Sequence, residues 1–397
     1  MPYTLGVLRR TFLHQAITWG GVTFLGGTRA AAQTLAAQSC TDAPLGDFVN
    51  EVPLQGDRAR ATPFGVVVGG GGLDARQFTD LSRLRPDRLV TPTAEMFLRT
   101  SAPPSVRERL AKWPFSIDAL EKKTRPMGAH LIECSGNADP DNFGLMSVAE
   151  WSGVPLLEVA EVSGDRGGRL ATEARRRGET SSGIFVGGFD HPTPSRSSAA
   201  GASWVFSLAD VEKTGAFLAT HLNGAPLPLD HGSPARLVVP GWYGCSWIKW
   251  VDDIHYVGAD EPVTSQMIEF SLRTHQPTIP RRALEYEPPV IDLAATPIRV
   301  EKRRVDGRLE YRIVGIVWGG DRAVDRLMIR FRAGDTPNPL RVCPAPHTPR
   351  TWSLWEYRWR PPAPGVYTIA LTAADSSIRT RRLDISYYVR RVVIDEV

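Results

Sequence analysis

The sequence predicts an α+β domain followed by a smaller all-β domain. Between residues 63 and 285, short apolar runs alternate with helical segments and with turns rich in proline and glycine. After a linker at residues 280–290, apolar runs recur at the spacing of a β-sandwich. The 32 prolines and 36 glycines of this 397-residue chain agree with a fold of many short strands. The length is sufficient for two or three domains with cores of their own.

The first 32 residues have the pattern of a twin-arginine export signal. Arg9-Arg10-Thr11-Phe12-Leu13 precedes a weakly apolar stretch at residues 14–28, and Ala30-Ala31-Ala32 offers a small-residue cleavage site. The apolar stretch is too short and too polar to span a bilayer. We therefore expect a periplasmic protein with no stable membrane span and a flexible mature N-terminus over residues 33–62. The alternative is a cytosolic N-terminal helix.

Composition and motif spacing exclude several classes of function. The net charge of +4 is small for this length, so neither a nucleic acid nor a membrane surface is an expected partner. The glycines at residues 69–72 lack the Gly-Lys-Ser/Thr ending of a phosphate loop, so a turn is expected there. The four cysteines do not form a Cys-x-x-Cys pair, so the sequence predicts no zinc ribbon, iron–sulfur cluster or c-type haem site. They are Cys40, Cys134, Cys245 and Cys343.

The apolar pattern predicts the main elements of both domains. In the first domain, residues 63–285, we predict a strand over residues 130–134, a short helix over residues 146–156 and two strands between residues 236 and 256. We interpret the second domain, residues 286–397, as an immunoglobulin-like β-sandwich. Its predicted strands lie at residues 298–300, 311–318, 327–331, 353–359, 367–372 and 387–394.

Cys134 is the most informative residue for function. It follows the apolar run His130-Leu131-Ile132-Glu133 and precedes a Ser135-Gly136-Asn137 turn, so its thiol is presented at a strand end. Ligands and cofactors are often bound at such positions. A lone sulfur there is either a small buried hydrophobe or a ligand for a soft metal.

Several motifs in a fixed order then indicate a family. From about residue 80 to the C-terminus the chain resembles the sulfite oxidase family of molybdenum enzymes, and within it the exported bacterial sulfite and sulfane dehydrogenases. Besides Cys134, the resemblance is carried by Thr91-Pro92-Thr93, Phe97-Leu98-Arg99, Gly188-Phe189-Asp190, Asn223-Gly224-Ala225-Pro226-Leu227-Pro228, residues 231–244 (HGSPARLVVPGWYG) and Ser246-Trp247-Ile248-Lys249-Trp250.

The resemblance implies a molybdenum–molybdopterin cofactor with Cys134 as the thiolate ligand of the metal. We expect no haem or flavin, since the sequence shows neither a cytochrome b5 domain nor a c-type haem motif. Arg99 and Trp151 match positions at the catalytic centre, although Trp151 could be a core residue only. Arginine suits the pterin phosphate because it can form paired hydrogen bonds. The implied cofactor-binding residues are Phe97, Arg99, Cys134, Asp190, His231, Arg236, Trp247, Ile248 and Lys249, with backbone N–H groups serving at Trp247 and Ile248. The family also implies homodimerisation through the second domain. Because the sequence shows no haem domain or haem motif, we expect an external electron acceptor, a cytochrome c.

The substrate pocket departs from the family pattern. Ala138-Asp139 stands where a basic residue is common, and Arg99-Thr100-Ser101 replaces an Arg-Asn-His motif. The position of the family's active-site tyrosine falls on Met267 or Phe270, and no tyrosine occurs between Tyr256 and Tyr286. A C-terminal arginine of the family pocket corresponds to Arg381 or Arg382. Since charge-assisted contacts are worth roughly 1.5–3 kcal/mol each, losing cations should weaken binding of sulfite.

The leading hypothesis is therefore a periplasmic oxidoreductase that transfers an oxygen atom to a small sulfur oxyanion or to carrier-bound sulfur. The same centre working in reverse would reduce an S-oxide or an N-oxide, and sequence does not set the direction because surrounding groups tune the potential. The depleted pocket leaves a third hypothesis, a non-catalytic pterin-binding scaffold subunit. A hydrolase is disfavoured because the chain lacks a Gly-x-Ser-x-Gly elbow.

Overall fold

The structure is a computed structural model that describes residues 45–55, 67–68, 73–102, 113, 115–137, 143–162, 182–189, 202–343, 348–381 and 388–397. All of them belong to one compact unit, Ala37–Val397. The expected export signal at residues 1–32 and the glycines at residues 69–72 lie outside the described residues. No helix in the described part of the chain is long and apolar enough to cross a membrane.

Strands dominate the described residues. They are β1 (Asp47–Val52), β2 (Leu54–Gln55), β3 (Val67–Val68), β4 (Leu73–Gln77), β5 (Leu98–Ala102), β6 (Arg125–Glu133), β7 (Met146–Pro155), β8 (Gly183–Gly188), β9 (Ala202–Ser207), β10 (Phe217–Leu222), β11 (Ala225–Pro226), β12 (Arg236–Val238), β13 (Val251–Val257), β14 (Ala294–Val305), β15 (Arg308–Trp318), β16 (Arg326–Arg330), β17 (Asn338–Cys343), β18 (Trp352–Trp359), β19 (Gly365–Ala373) and β20 (Arg390–Ile394).

The α-helices among the described residues are short, with seven residues at most. They are α1 (Ile117–Lys123), α2 (Leu156–Val162), α3 (Leu208–Thr214) and α4 (Ser265–Phe270). Local capping explains their ends: the Ser207 hydroxyl accepts from the Asp210 N–H at 3.0 Å, and Gly215 ends α3 with a left-handed φ of 67°. The helical content is thus smaller than an α+β pattern suggested.

Among the described residues, the first domain contains three antiparallel sheets. The largest has the strand order β11-β10-β7-β6, with β12 also paired to β10, and two three-stranded sheets have the orders β13-β8-β9 and β3-β4-β5. The strand predicted at residues 130–134 is confirmed as the end of β6. The helix predicted at residues 146–156 is wrong, because this segment is β7. It is buried on both faces and paired on both edges, so tertiary packing overrides the local helical pattern.

The C-terminal strands form one nine-stranded antiparallel path, β1-β14-β15-β18-β17-β16-β19-β20-β2. The six strands predicted in this half are present, and β17 was missed because Pro339 interrupts its short apolar run. Residues 47–55 belong to this sheet: β1 pairs with β14, so the described end of the expected flexible N-terminus is ordered strand. The immunoglobulin-like topology and the boundary at residue 286 stay predictions.

The cores are arranged so that the end of β6 is firmly held. One buried cluster fills the first domain around Trp151, Trp204 and Trp247, and a second fills the C-terminal sheet around Trp355. A third cluster joins β6 and β7 to β14, β15 and β18 through Leu131, Met146, Val148, Ile316, Trp318 and Trp352. The strand that precedes Cys134 therefore packs directly against the C-terminal sheet.

Gly315, in β15, tests the packing of this sheet. A Cβ at this position would overlap the indole ring of Trp355 and the carbonyl oxygen of Thr296. Because an overpacked core costs roughly 1–3 kcal/mol, we expect Gly315→Ala to lower the free energy of unfolding by about that amount in urea titrations. The exposed Val366→Ala in β19 is the control. Equal midpoints for the two variants would contradict this packing.

Candidate active site around Cys134

The turn that carries Cys134 is closed by Asn137. The Cys134 N–H donates to the Leu145 carbonyl at 2.9 Å, and the Asn137 N–H donates to the Cys134 carbonyl at 2.9 Å. The Asn137 side-chain oxygen accepts from the Leu145 N–H at 3.1 Å. Cys134 itself is half-buried and forms no disulfide. These bonds fix the backbone on both sides of the Cys134 thiol.

A buried ion pair lies directly behind this turn. Glu133, which is completely buried, accepts from Arg381 through both of its oxygens, each at 2.8 Å. The same carboxylate accepts from Trp318 Nε1 at 2.8 Å and from Asn137 Nδ2 at 3.3 Å. Arg381 also donates to the Tyr388 hydroxyl at 3.0 Å and lies 4.9 Å from the ring of Tyr243.

This pair decides the role of Arg381. Burial by itself lowers the pKa of Arg381, but the negative charge of Glu133 outweighs it and raises the pKa well above its usual value. Arg381 is therefore charged, but its charge is neutralised by Glu133. Of the two arginines expected to reach the pocket, Arg381 reaches the residue before Cys134, and Arg382 lies outside the described residues.

A second group of cations forms around residues 228–250. His231 and Lys249 lie close to Arg236, and Gly232 permits this close packing. The φ of Gly232 is +111°, and a Cβ on Gly232 would lie 3.0–3.1 Å from the Cβ atoms of Arg236 and Lys249. Lys249 Nζ donates to the carbonyl of Arg99 at 3.1 Å and to that of Asp230 at 2.6 Å. The structure thus brings four predicted cofactor-binding residues together.

Arg236 is the most unusual member of this group. Its guanidinium lies 5.5 Å from the ring of Trp151 and 5.8 Å from that of Trp247, and among the described residues it donates to the carbonyls of His231 and Trp247, each at 3.2 Å. Its Nε is buried without a partner, and no carboxylate among the described residues pairs with it. Burial lowers the pKa of Arg236 to about 9. A buried and uncompensated cation of this kind favours an anionic ligand.

His231 is neutral at ordinary pH. Burial, and then the positive charges of Lys249 and Arg236, lower the pKa of its imidazole to about 3. A third cation would only add to the repulsion among these groups, so the neutral state limits the cost of the cluster. The imidazole can donate or accept a hydrogen bond there without adding charge.

The remaining predicted residues are placed as follows. Phe97 is buried and its N–H donates to the Ser147 hydroxyl at 3.0 Å. Trp151 is a core residue whose ring also contacts Arg236. The N–H of Trp247 donates to the Gly244 carbonyl at 3.1 Å, and its role in cofactor binding stays a prediction. Ile248 is buried. Asp190 and Asp139 lie outside the described residues.

The two candidate positions for a tyrosine differ clearly. Met267 is fully buried in the core, whereas Phe270 is half-buried beneath the guanidinium of Arg273, 5.5 Å from its ring. Arg273 in turn reaches the Cys134 turn at Gly136. Arg273 was not predicted from the sequence, because it lies in none of the recognised motifs. The role of Glu133 was not predicted either, although an acidic residue in an otherwise apolar strand indicates a buried charge that needs a partner.

Cys245 is a second half-buried cysteine that forms no disulfide. Burial raises the pKa of its thiol to about 12; the nearby Ser135 hydroxyl lowers it, and a charge on Cys134 raises it again. The Cys245 thiol is therefore protonated under ordinary conditions. The expectation that Cys245 is mostly structural agrees with this state, because a protonated thiol is a poor metal ligand.

Comparison with known proteins agrees with this geometry. Residues 106–264 match the family model described as the oxidoreductase molybdopterin binding domain. The mitochondrial sulfite oxidase of Macaca fascicularis is 29% identical over 271 residues, covering 62% of this chain and 47% of that protein. The human enzyme is 27% identical with the same coverage. An inducible NADH nitrate reductase of Glycine max is 25% identical over 357 residues, covering 76% of this chain and 38% of that protein.

A solved structure shares the fold. The sulfane dehydrogenase SoxCD from Paracoccus pantotrophus superposes with a TM-score of 0.55 at 16% identity, covering 87% of this chain and 91% of that chain. Fold and site together define a molybdopterin-binding oxidoreductase domain. The chain is similar to proteins of the sulfite oxidase family, and residues 106–264 match the molybdopterin binding domain. It spans about half the length of the mammalian sulfite oxidases it matches, 47% in each case.

The first prediction for this site concerns the ion pair of Glu133 and Arg381. Glu133→Gln leaves the Arg381 guanidinium buried without a countercharge, so we expect the free energy of unfolding to fall by about 3–5 kcal/mol. Chemical denaturation measures the change. Glu158→Gln is the matched control, because it removes a carboxylate from an exposed pair with Arg125. A loss no larger than that of the control would show that the pair does not hold the turn.

The buried imidazoles make a prediction about pH. Burial lowers the pKa of His231 to about 3 and that of His130 to about 4, from 6.5. The unfolded chain thus binds protons that the folded chain does not, and stability present above about pH 6.5 should fall with decreasing pH, by about 1.4 kcal/mol per pH unit for each histidine.

His231→Gln should remove one of these two contributions. Urea unfolding of the ligand-free chain between pH 7 and pH 5 then gives a shallower decrease for the variant than for the parent. His275→Gln, which replaces an exposed imidazole, controls for the substitution itself. An unchanged slope for His231→Gln would mean that His231 is not buried in its neutral form.

Proposed function

We propose that this chain is a periplasmic molybdenum-cofactor oxidoreductase that transfers an oxygen atom to a small sulfur oxyanion or to carrier-bound sulfur. One observation carries the proposal: a disulfide-free thiol is fixed at the end of β6 in a domain that also buries a guanidinium without a countercharge. The first suits a soft metal and the second suits an anionic cofactor.

The residues fit the cofactor. Cys134 would supply one thiolate, which a metal keeps deprotonated. The described residues contain no group of three or more His, Cys, Asp or Glu side chains that could hold a metal ion, and in this proposal Cys134 would be the single protein ligand. Arg236, Lys249 and His231 would hold the anionic part of the pterin, with the unpartnered Nε of Arg236 as an available donor.

The cofactor supplies the two-electron redox chemistry, and the protein supplies binding, orientation and charge. With sulfite as the substrate, sulfite and one water would become sulfate, with release of two protons and two electrons. We propose an external cytochrome c as the acceptor of these electrons, a homodimer formed through residues 286–397, and export directed by Arg9-Arg10. The immunoglobulin-like form of that second domain belongs to the same proposal.

The residues of this chain have separate roles in the reaction. Asn137 and Glu133 hold the Cys134 turn, so the sulfur would be kept in one orientation for a bound metal. Trp151 and Trp247 enclose Arg236 and exclude water from it, which strengthens its attraction for an anion. Arg99 joins Lys249 to the strand β5 through its carbonyl.

The reverse direction is the second candidate. The similarity to a soybean nitrate reductase, which is 25% identical over 76% of this chain, supports it. A reductase of an S-oxide or an N-oxide would use the same cysteine and the same cationic group. A non-catalytic scaffold remains the outcome to be excluded.

The test is made on protein produced in a host with the cofactor and twin-arginine pathways. We expect about one molybdenum atom per chain by elemental mass spectrometry, because a single ligating thiolate is present. Cys134→Ser should abolish turnover of sulfite with ferricyanide or cytochrome c, since the hydroxyl is a hard and weak ligand. Cys245→Ala is the matched control and should retain turnover, because its thiol is protonated.

The outcomes separate the three hypotheses. Molybdenum without sulfite turnover moves the proposal to another sulfur compound or to the reductase direction, and reduced viologen with an S-oxide tests the latter. No molybdenum, in a host that loads a control enzyme, rejects the catalytic function and supports the scaffold.

A further inference from the structure

Arg273 lies over the turn that carries Cys134. A Cβ built on Gly136 would stand 3.2 Å from Nη1 of Arg273 and 3.8 Å from Sγ of Cys134, so the guanidinium and the sulfur flank the same point. A side chain on residue 136 would press against the guanidinium, whereas glycine leaves the space open. Arg273 therefore reaches the region where a ligand of Cys134 would lie.

The backbone that presents Arg273 is held on several sides. The Thr264 hydroxyl caps α4 by accepting from the Met267 N–H at 3.2 Å, and the Thr274 hydroxyl is 2.6 Å from that of Tyr286. Gln276 exchanges two hydrogen bonds with the backbone of Glu287, each at 2.9 Å. The position of Arg273 is thus a fixed property of the fold rather than that of an unattached loop.

Arg273 also differs from the other cations near Cys134 in its charge balance. Arg381 is neutralised by Glu133, and Arg236 is enclosed between two tryptophans in the group assigned to the pterin. No carboxylate or carbonyl among the described residues pairs with Arg273, whose contact is with the ring of Phe270 at 5.5 Å. Its guanidinium is exposed and its donors remain available.

We propose that Arg273 is the substrate-binding cation of this protein, and that it holds an anionic oxygen of a sulfur oxyanion beside Cys134. The inference rests on the proposed function and names the residue that selects the substrate. It places the positive charge of the pocket on the segment after α4, next to Phe270. Phe270 is one of the two positions where the resemblance to the family predicts a tyrosine.

The test compares holoenzyme with Arg273→Gln and Arg273→Lys. Sulfate, used as the probe, is titrated calorimetrically at low ionic strength, and the KM and kcat for sulfite are measured in parallel. Loss of one charge-assisted contact should weaken sulfate binding and raise KM by about tenfold or more, with kcat and molybdenum content unchanged. Arg273→Lys should keep part of the affinity, and added sodium chloride should reduce the difference.

Arg281→Gln is the matched control, because it removes an exposed arginine from the same stretch of chain. Sulfate affinity equal to the parent in Arg273→Gln, or no sulfate binding by the parent, overturns the proposal. Loss of molybdenum from Arg273→Gln also overturns it, since the residue would then hold the cofactor. If sulfate binding depends on Arg273 but sulfite is not oxidised, the anion site stands and the proposed sulfite reaction fails.

Discussion

The arrangement of the site depends on one buried carboxylate, that of Glu133. Taking it and Arg381 out of water is costly, and four donated hydrogen bonds from Arg381, Trp318 and Asn137 offset that cost. These donors come from β15, from the C-terminal region and from the Cys134 turn itself. Donors from both halves of the molecule therefore hold the residue next to Cys134.

The same interaction separates two kinds of positive charge. Arg381 lies behind the thiol and is neutralised, whereas Arg236 lies in the first domain with two carbonyls and two aromatic rings as its only contacts among the described residues. Aromatic faces attract a cation but do not cancel its charge. An anion bound there would complete the hydrogen bonding of a group that the fold otherwise leaves unsatisfied, which gives the cofactor a specific place.

Local patterns predicted the strands well and the long-range contacts poorly. The apolar run before Cys134 indicated a strand end because alternation and turn residues act within a few positions. The prediction of a helix at residues 146–156 was wrong, because strand pairing on both edges of this segment outweighs its local helical pattern. The contact of Glu133 with Arg381 spans 248 positions, and no spacing rule reaches so far. Only burial could decide between Met267 and Phe270, since two ways of counting from Lys249 gave different answers.

The distribution of charge also bears on the substrate. A pocket lined by buried arginines binds a dianion strongly, because low dielectric strengthens each contact. Here the buried arginine behind the thiol is already neutralised, and the cation that faces the turn, Arg273, is exposed and screened by solvent. Such a pocket discriminates less in favour of a doubly charged ion. If the proposed function holds, a sulfur that carries a single negative charge, or that is attached to a carrier, would lose less binding free energy in this pocket than sulfite would, and it would be the better substrate.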